Sequence, residues 1–300
     1  MNQIVSPEYG GRVPELPEVE ILTRHLAPLL KDQTVQRVQV RRSRVVHSIS
    51  PARFKNALRG ARFLELGRRG KYLIFKMRPA DGLGDLFLLG HLGMTGRMYL
   101  QPVSAPMAKH AAVVFSLGAA DFIFEDTRYF GSLRLDTAPL DTLGPEPLSD
   151  EFTADYFARA LRRSAQPIKV KLLDQSLVAG VGNIYASEAL FRAGLSPRLA
   201  ARRVTRKQAQ HLWRGLRATL TDAIEFGSTV PLDWSGTGRN DGLFYYGRAD
   251  GTEEGYEERL SVYDRAGRPC SLCQTPIRRI VQAARSTFFC PRCQRTRGAS

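Results

Sequence analysis

Four thiols, one glycine turn and one proline-glutamate string are the parts of this sequence best suited to chemistry. The cysteines, Cys270, Cys273, Cys290 and Cys293, follow a C-x2-C, sixteen-residue, C-x2-C arrangement. Two tight turns of that kind each supply two thiolates to a tetrahedral zinc ion. Two disulfides are the competing pairing, which a reducing compartment disfavours. Between the pairs, "PIRRIVQ" and "STFFC" read as strands of a hairpin, and residues 265 to 300 hold eight arginines and no acid. A metal-pinned hairpin so basic suits phosphates. In "AGVGNIYASE", Gly180 and Gly182 permit a tight connection, and a helix opening near Asn183 offers unpaired N–H groups to an anion. The plain alternative is a helix hairpin with no ligand. The string "GRVPELPEVE" (residues 11 to 20) reads by itself as a helix start, with Pro17 early in the first turn and Glu18 and Glu20 beside it.

The elements that must position these groups divide the chain in two. The first half is strand-rich: "VQRVQVRRSRVV", "RFLELG", "KYLIFKM", "DLFLLGHL", "GRMYLQ", "AAVVFSL", "DFIFED" and "SLRLD" are short apolar or β-prone runs broken by Gly, Pro and Asp. They predict a sandwich or barrel-like β-domain, preceded by one helix whose Val19, Leu22, Leu26 and Leu29 share a face. Residues 136–150, "DTAPLDTLGPEPLSD", read as a linker. Beyond them "SDEFTADYFARALRR", "KLLDQSLVAG", "NIYASEALFRAG" and "TRKQAQHLWRGLRATLTDAIEFG" read as helical, giving an α+β protein. The 44 Lys and Arg outweigh 29 Asp and Glu, a formal +15 that attracts polyanions, DNA or RNA first. No apolar run approaches the roughly 20 residues of a membrane span, and the first twelve residues lack a signal peptide's apolar core. The expected location is the cytoplasm, on the nucleoid in a bacterium.

Taken together, "PELPEVE", "GRRGKYL", "HLGMTG", "DTRYFG", "LGPEPL", "AGVGNIYASE" and the terminal cysteine pairs resemble the bacterial formamidopyrimidine-DNA glycosylases, in that family's order and across residues 14 to 293. The resemblance implies an N-terminal β-sandwich domain (14–135), a helix–two-turn–helix domain (151–264) and a zinc-finger β-hairpin (265–295) holding one structural zinc ion. It implies double-stranded DNA carrying oxidised bases or abasic sites as partner, and excision of 8-oxoguanine and formamidopyrimidines followed by strand cleavage; a monomer is the default expectation.

By the same resemblance Pro14 is the nucleophile, its secondary amine attacking C1′ of the deoxyribose, and Glu15 is the acid that protonates the sugar's ring oxygen. Lys71 is the third catalytic residue, holding the phosphate beside the lesion and assisting the reaction, and His91 touches a phosphate. Met94, Arg128 and Phe130 fill the gap left by the extruded nucleotide, and Lys169, Asn183 and Arg285 contact DNA. Glu188 is matched as a structural carboxylate needing a backbone amine or lysine as partner. An internal proline nitrogen is an amide and no nucleophile, so residues 1–13 are expected to be untranslated or removed, with Val13 standing at the start codon. Two departures from the family pattern stand out. Tyr129 occupies a position that is often basic, and the segment 227–263, of which the part around Gly227 to Asp241 is expected to close over the base, is long and carries acids at Glu253, Glu254, Glu257 and Glu258.

Overall fold

A computed structural model describes residues 14–227 and 260–295. The first thirteen residues, the expected closing loop after Gly227 and the four acids beyond it lie outside the described residues.

The strand-rich half folds as two four-stranded antiparallel sheets. One runs β1 (Arg37–Val40), β6 (Ala111–Ser116), β7 (Ala120–Asp126), β5 (Gly96–Pro102); the other runs β2 (Arg62–Arg69), β3 (Tyr72–Arg78), β4 (Leu86–His91), β8 (Ser132–Arg134). Alternation drives the arrangement: along β3, Leu73, Phe75 and Met77 point inward while their neighbours stay partly exposed. Phe63, Phe75, Phe115 and Phe122 meet between the sheets with ring centroids 5.5 to 6.2 Å apart. Helix α1 (Leu16–Leu30) lays Val19, Leu22, Leu26 and Leu30 onto this core. The sequence reading extended β1 to Val46. The strand instead ends at Val40, where the Arg41 and Arg42 amides both donate to Ala112 O and turn the chain. A helix absent from that reading follows, α2 (Pro51–Leu58), opened by Ser50 as its cap and burying Phe54 and Leu58.

The second half packs α3 (Ala154–Arg162), α4 (Ile168–Leu172), α5 (Asn183–Arg192) and α6 (Arg206–Gly227) around Tyr185, Phe152 and Phe157. α5 is the central element, with Ile184 through Phe191 all buried. α4 is shorter than its apolar pattern implied, because Asp174 accepts from both the amide and the hydroxyl of Ser176 and ends the helix in a turn. Residues 136–150 connect the halves and are tied to both. Gly144 N donates to Gln175 O, Ala179 N donates to Pro145 O, and the Arg217 guanidinium donates to the carbonyls of Pro147, Leu148 and Ser149. A third unit, the hairpin of β9 (Arg278–Gln282) and β10 (Arg285–Phe289), rests on α5 through Ile277, Phe288, Phe191 and Val262.

Candidate active site and DNA interface

Position 14 is where the parts of the molecule converge. Pro14 and Glu15 are buried at the start of α1, and the Leu16 amide donates to Gly180 O, fixing that start against the turn before α5. The Glu15 carboxylate crosses to the N-terminus of α5 and accepts from Gly182 N at 2.8 Å, Ile184 N at 2.8 Å and Tyr185 N at 3.3 Å. A helix N-terminus seeks an anion, and here the anion is this protein's own side chain. The expectation that these amides lie open as a phosphate seat is therefore corrected. Both glycines are required by the fit. Gly180 has φ +83° and a Cβ there would sit 2.6 Å from Leu16, while one on Gly182 would overlap the Glu15 carboxyl carbon. Glu18 completes the clamp, accepting from Glu15 N at 2.7 Å and from the Tyr185 hydroxyl at 2.5 Å.

Three cations act on this pocket. Lys71 sits in the two-residue turn between β2 and β3, partly exposed, and its charge acts on Glu15, Glu18 and His91. The turn is anchored from the connecting segment, where Glu146 accepts from Gly70 N at 2.6 Å and from Arg68 and Arg69 at 2.8 and 3.0 Å. Lys169 at the start of α4 is 1% exposed, and its Nζ donates to Asn183 Oδ1 at 2.5 Å. The Asn183 amide in turn donates to Ser286 O at 2.8 Å, linking α4, α5 and the zinc hairpin. Asn183 was expected to offer its donor to DNA; in this structure that donor holds the hairpin. Arg285, at the hairpin's tip, lies exposed and close enough to Lys71 and Lys169 to act on both.

The electrostatics follow from crowding in a dry site. Burial pushes Glu15 up from the usual carboxylate range, opposed by Lys71, Lys169 and the α5 amides. Burial pulls Lys71 down against the pull of Glu15 and Glu18, and brings Lys169 to about 8, with Arg285 and Lys71 adding to the effect. His91 falls to about 4 through burial and the nearby Lys71. It is thus neutral at pH 7, and since its Nδ1 accepts from Gly93 N at 3.1 Å, its Nε2 carries the hydrogen.

A second cluster adjoins the first. Met94 lies in the turn from β4 to β5, and at Gly93 that turn approaches the loop carrying Arg128 and Phe130 so closely that a Cβ there would meet Gly131 N at 2.5 Å. Phe130 is 50% exposed, and the Arg128 guanidinium lies 5.0 Å from its ring centre. Asp126, fully buried, holds both loops by accepting from the Thr95 hydroxyl at 2.5 Å, Arg128 N at 3.0 Å and Gly131 N at 2.8 Å. Sequence reasoning passed over Asp126 and Glu146, though each stood inside a quoted motif. Tyr129, in the left-handed region at φ 54°, accepts from Arg42 Nε at 3.1 Å, so a guanidinium still stands beside this non-basic position.

Glu188, on α5, accepts from the backbone amides of Ser261, Val262 and Tyr263 at 2.8 to 2.9 Å, fixing the chain where it returns after residue 259. The four thiols Cys270, Cys273, Cys290 and Cys293 lie within 4.8 Å of one another, with Cys270–Cys293 at 3.9 Å and Cys273–Cys290 at 3.5 Å. Zn–S bonds of ~2.3 Å in a tetrahedron place sulfurs roughly 3.8 Å apart, so the set fits one structural zinc ion. These separations are well beyond the ~2.05 Å of a disulfide bond, so the four sulfurs are arranged for a shared ion and not for two disulfides.

A β-sandwich joined to a helical domain whose glycine turn seats a carboxylate, with an arginine-tipped zinc hairpin beyond, defines a helix–two-turn–helix protein of the DNA-binding class. Residues 13–133 match the formamidopyrimidine-DNA glycosylase N-terminal domain, 143–232 that family's H2TH domain, and 267–296 the zinc finger found in FPG and IleRS. A formamidopyrimidine-DNA glycosylase of Thermus thermophilus is 43% identical over 291 residues, covering 94% of this chain and 98% of the relative; one from Dechloromonas aromatica is 40% identical, covering 94% and 100%. Among solved structures, the MutM (Fpg) protein of Thermus thermophilus aligns with a TM-score of 0.77 at 40% identity over 94% of this chain and 98% of that one. Lactococcus lactis Fpg in complex with abasic-site DNA aligns with 0.80 at 31% over 94% and 99%. The chain belongs to the formamidopyrimidine-DNA glycosylase family.

Proposed function

We propose that this protein is a bifunctional DNA glycosylase and abasic-site lyase of base excision repair, acting as a monomer on duplex DNA that carries oxidised purines. The Pro14 amine attacks C1′ of the damaged nucleoside and the base departs. Glu15 takes up the N–H proton that the Pro14 nitrogen loses on bonding to C1′ and passes it to the ring oxygen as the sugar opens, leaving a cationic iminium between proline and sugar. That positive charge acidifies the C2′ proton, so the 3′ phosphate and then the 5′ phosphate leave by elimination. Lys71, Lys169, Arg285 and the Nε2–H of His91 bind the phosphates flanking the extruded nucleotide. Phe130 wedges into the stack, Met94 fills the void, and Arg128 offers donors to the base left without a partner. Attack needs a free amine, so the active chain begins at Pro14 and residues 1–13 are absent from it.

One observation carries this reading: the carboxylate of the residue after Pro14 is buried against α5 with cations from the sandwich, the helical domain and the zinc hairpin acting on the same pocket. A purely structural helix cap would not gather them. The test is borohydride trapping on an 8-oxoguanine duplex, with a thymine-glycol duplex beside it. Protein beginning at Pro14 is expected to form a covalent adduct on the first, and protein with residues 1–13 attached is not. Equal trapping by both forms would refute Pro14 as nucleophile, preference for thymine glycol would overturn the substrate class, and no adduct from either would leave a DNA-binding protein without catalysis.

A further inference from the structure

Lys71, Lys169 and Arg285 around position 14 account for only part of the positive charge. A dense group of exposed cations lies outside that pocket, where α3, the short turn Ala201–Arg203 and the start of α6 meet. Arg159 and Arg162 stand on the same side of α3 as Asp155, at four- and seven-residue spacing. The two other segments abut this side at its ends: Arg206 Nη2 donates to Asp155 Oδ1 at 2.7 Å, and Arg202 N donates to Ser164 O at 2.8 Å. Arg159, Arg162, Arg163, Arg202, Arg203 and Arg206 thus share one ledge, and all are exposed. Among the described residues, Asp155 is the single carboxylate in an ion pair with any of them, and Arg206 already occupies it. Like charges at this spacing repel within a helix, so the ledge carries an unfavourable field until a polyanion covers it.

The segment that leads to the ledge is tied to the zinc hairpin and to α4. The Pro197 carbonyl accepts from Gln282 of the zinc hairpin at 3.3 Å and from the Lys169 amide at 3.4 Å. Next along the chain, exposed Arg198 lies with its guanidinium 5.6 Å from the Phe289 ring centre, and the Leu199 carbonyl accepts from Ile168 N. Exposed Arg198 therefore stands between the hairpin that carries Arg285 and the segment that carries Arg202. Planar guanidinium forks match phosphate oxygens in pairs, and arginine supplies every cation named on the ledge.

We propose that this ledge is a second DNA-contact surface that takes the backbone of the duplex flanking the lesion, lengthening the footprint beyond the extruded nucleotide without touching the chemistry. The proposal rests on the cleft binding lesion DNA. The test variant is Arg159→Gln/Arg162→Gln/Arg202→Gln/Arg203→Gln in the chain beginning at Pro14, compared with wild type on a long duplex and on one trimmed close to the lesion. Each phosphate contact contributes about 0.9 to the slope of log K against log salt. The expected result is a slope shallower by up to about 3.6 on the long duplex, little change on the trimmed one, and an unchanged single-turnover cleavage rate at saturating protein. A charge-retaining Arg→Lys quadruple should restore the slope, which separates charge from folding. An unchanged slope on the long duplex, or equal losses on both lengths, overturns the ledge. Failure of wild type to cleave either duplex would instead overturn the functional reading beneath it.

Discussion

Replacing Glu15 by glutamine tests the structural and the chemical role of one carboxylate separately. Glu15 accepts from Ile184 through one oxygen and from Gly182 and Tyr185 through the other. A glutamine keeps one carbonyl oxygen and turns an NH2 toward the remaining amide, leaving at least one buried donor without a partner. That costs about 1–3 kcal/mol, a fall in Tm of a few degrees for a protein of this size. Burial already disfavours the charged form of Glu15, so losing the charge itself returns part of this and the lower end is expected. The chemical loss is larger. Removing a positioned proton donor lowers a rate by roughly 10²–10⁴, or about 2.7–5.4 kcal/mol of barrier. It should fall on base excision alone, because the sugar of a preformed abasic site already opens to the aldehyde without a leaving base. Single-turnover excision from an 8-oxoguanine duplex and cleavage of an abasic duplex, measured alongside the melting curve, separate these effects. Excision should drop by those orders while abasic cleavage stays within about tenfold. If both activities fall together, Glu15 acts by holding α1 on α5; if neither falls, it is not the acid.

Three further outcomes follow from the geometry. Stripping zinc with a chelator, or Cys290→Ser, should release one ion per chain and expose the amides of 278–289 to hydrogen exchange while the sandwich stays protected, with DNA affinity falling because Arg285 leaves the cleft. With Lys169 at about 8 in the fold against an ordinary 10.5, its charge is present below pH 8 and lost above it, so Kd for DNA should rise through that pH and Lys169→Arg should remove the inflection. The same depression means the unfolded chain binds the extra proton between those values, and stability to denaturant should rise with pH across that window. Asp126→Asn should leave one of three loop donors unpaired, at about 1–3 kcal/mol, slowing excision while sparing trapping on an abasic site where no base must be held outside the stack.

The parts legible in the sequence are those whose cause is local. Cysteine spacing fixes the metal site because both pairs sit in tight turns, and alternation finds β3 because one face must be dry. α2 carried its signals too, a serine cap and a first-turn proline, but only Phe54 and Leu58 of its eight residues are buried, too short an apolar pattern to stand out from a strand-rich stretch. What local rules could not supply is the identity of a partner. "AGVGN" announces a helix N-terminus that wants an anion; it does not say that the anion is Glu15, 167 positions away. Nor does Asn183 say that its amide will hold Ser286 across 103 residues while its oxygen receives Lys169. Such contacts depend on how the sandwich, the helix pair and the zinc hairpin are brought together, and they determine the electrostatics around position 14. Residue types and order therefore suffice to identify the family, whereas the shifts that burial and neighbouring charge impose on Glu15, Lys71, Lys169 and His91 arise only once the three units close on the same pocket.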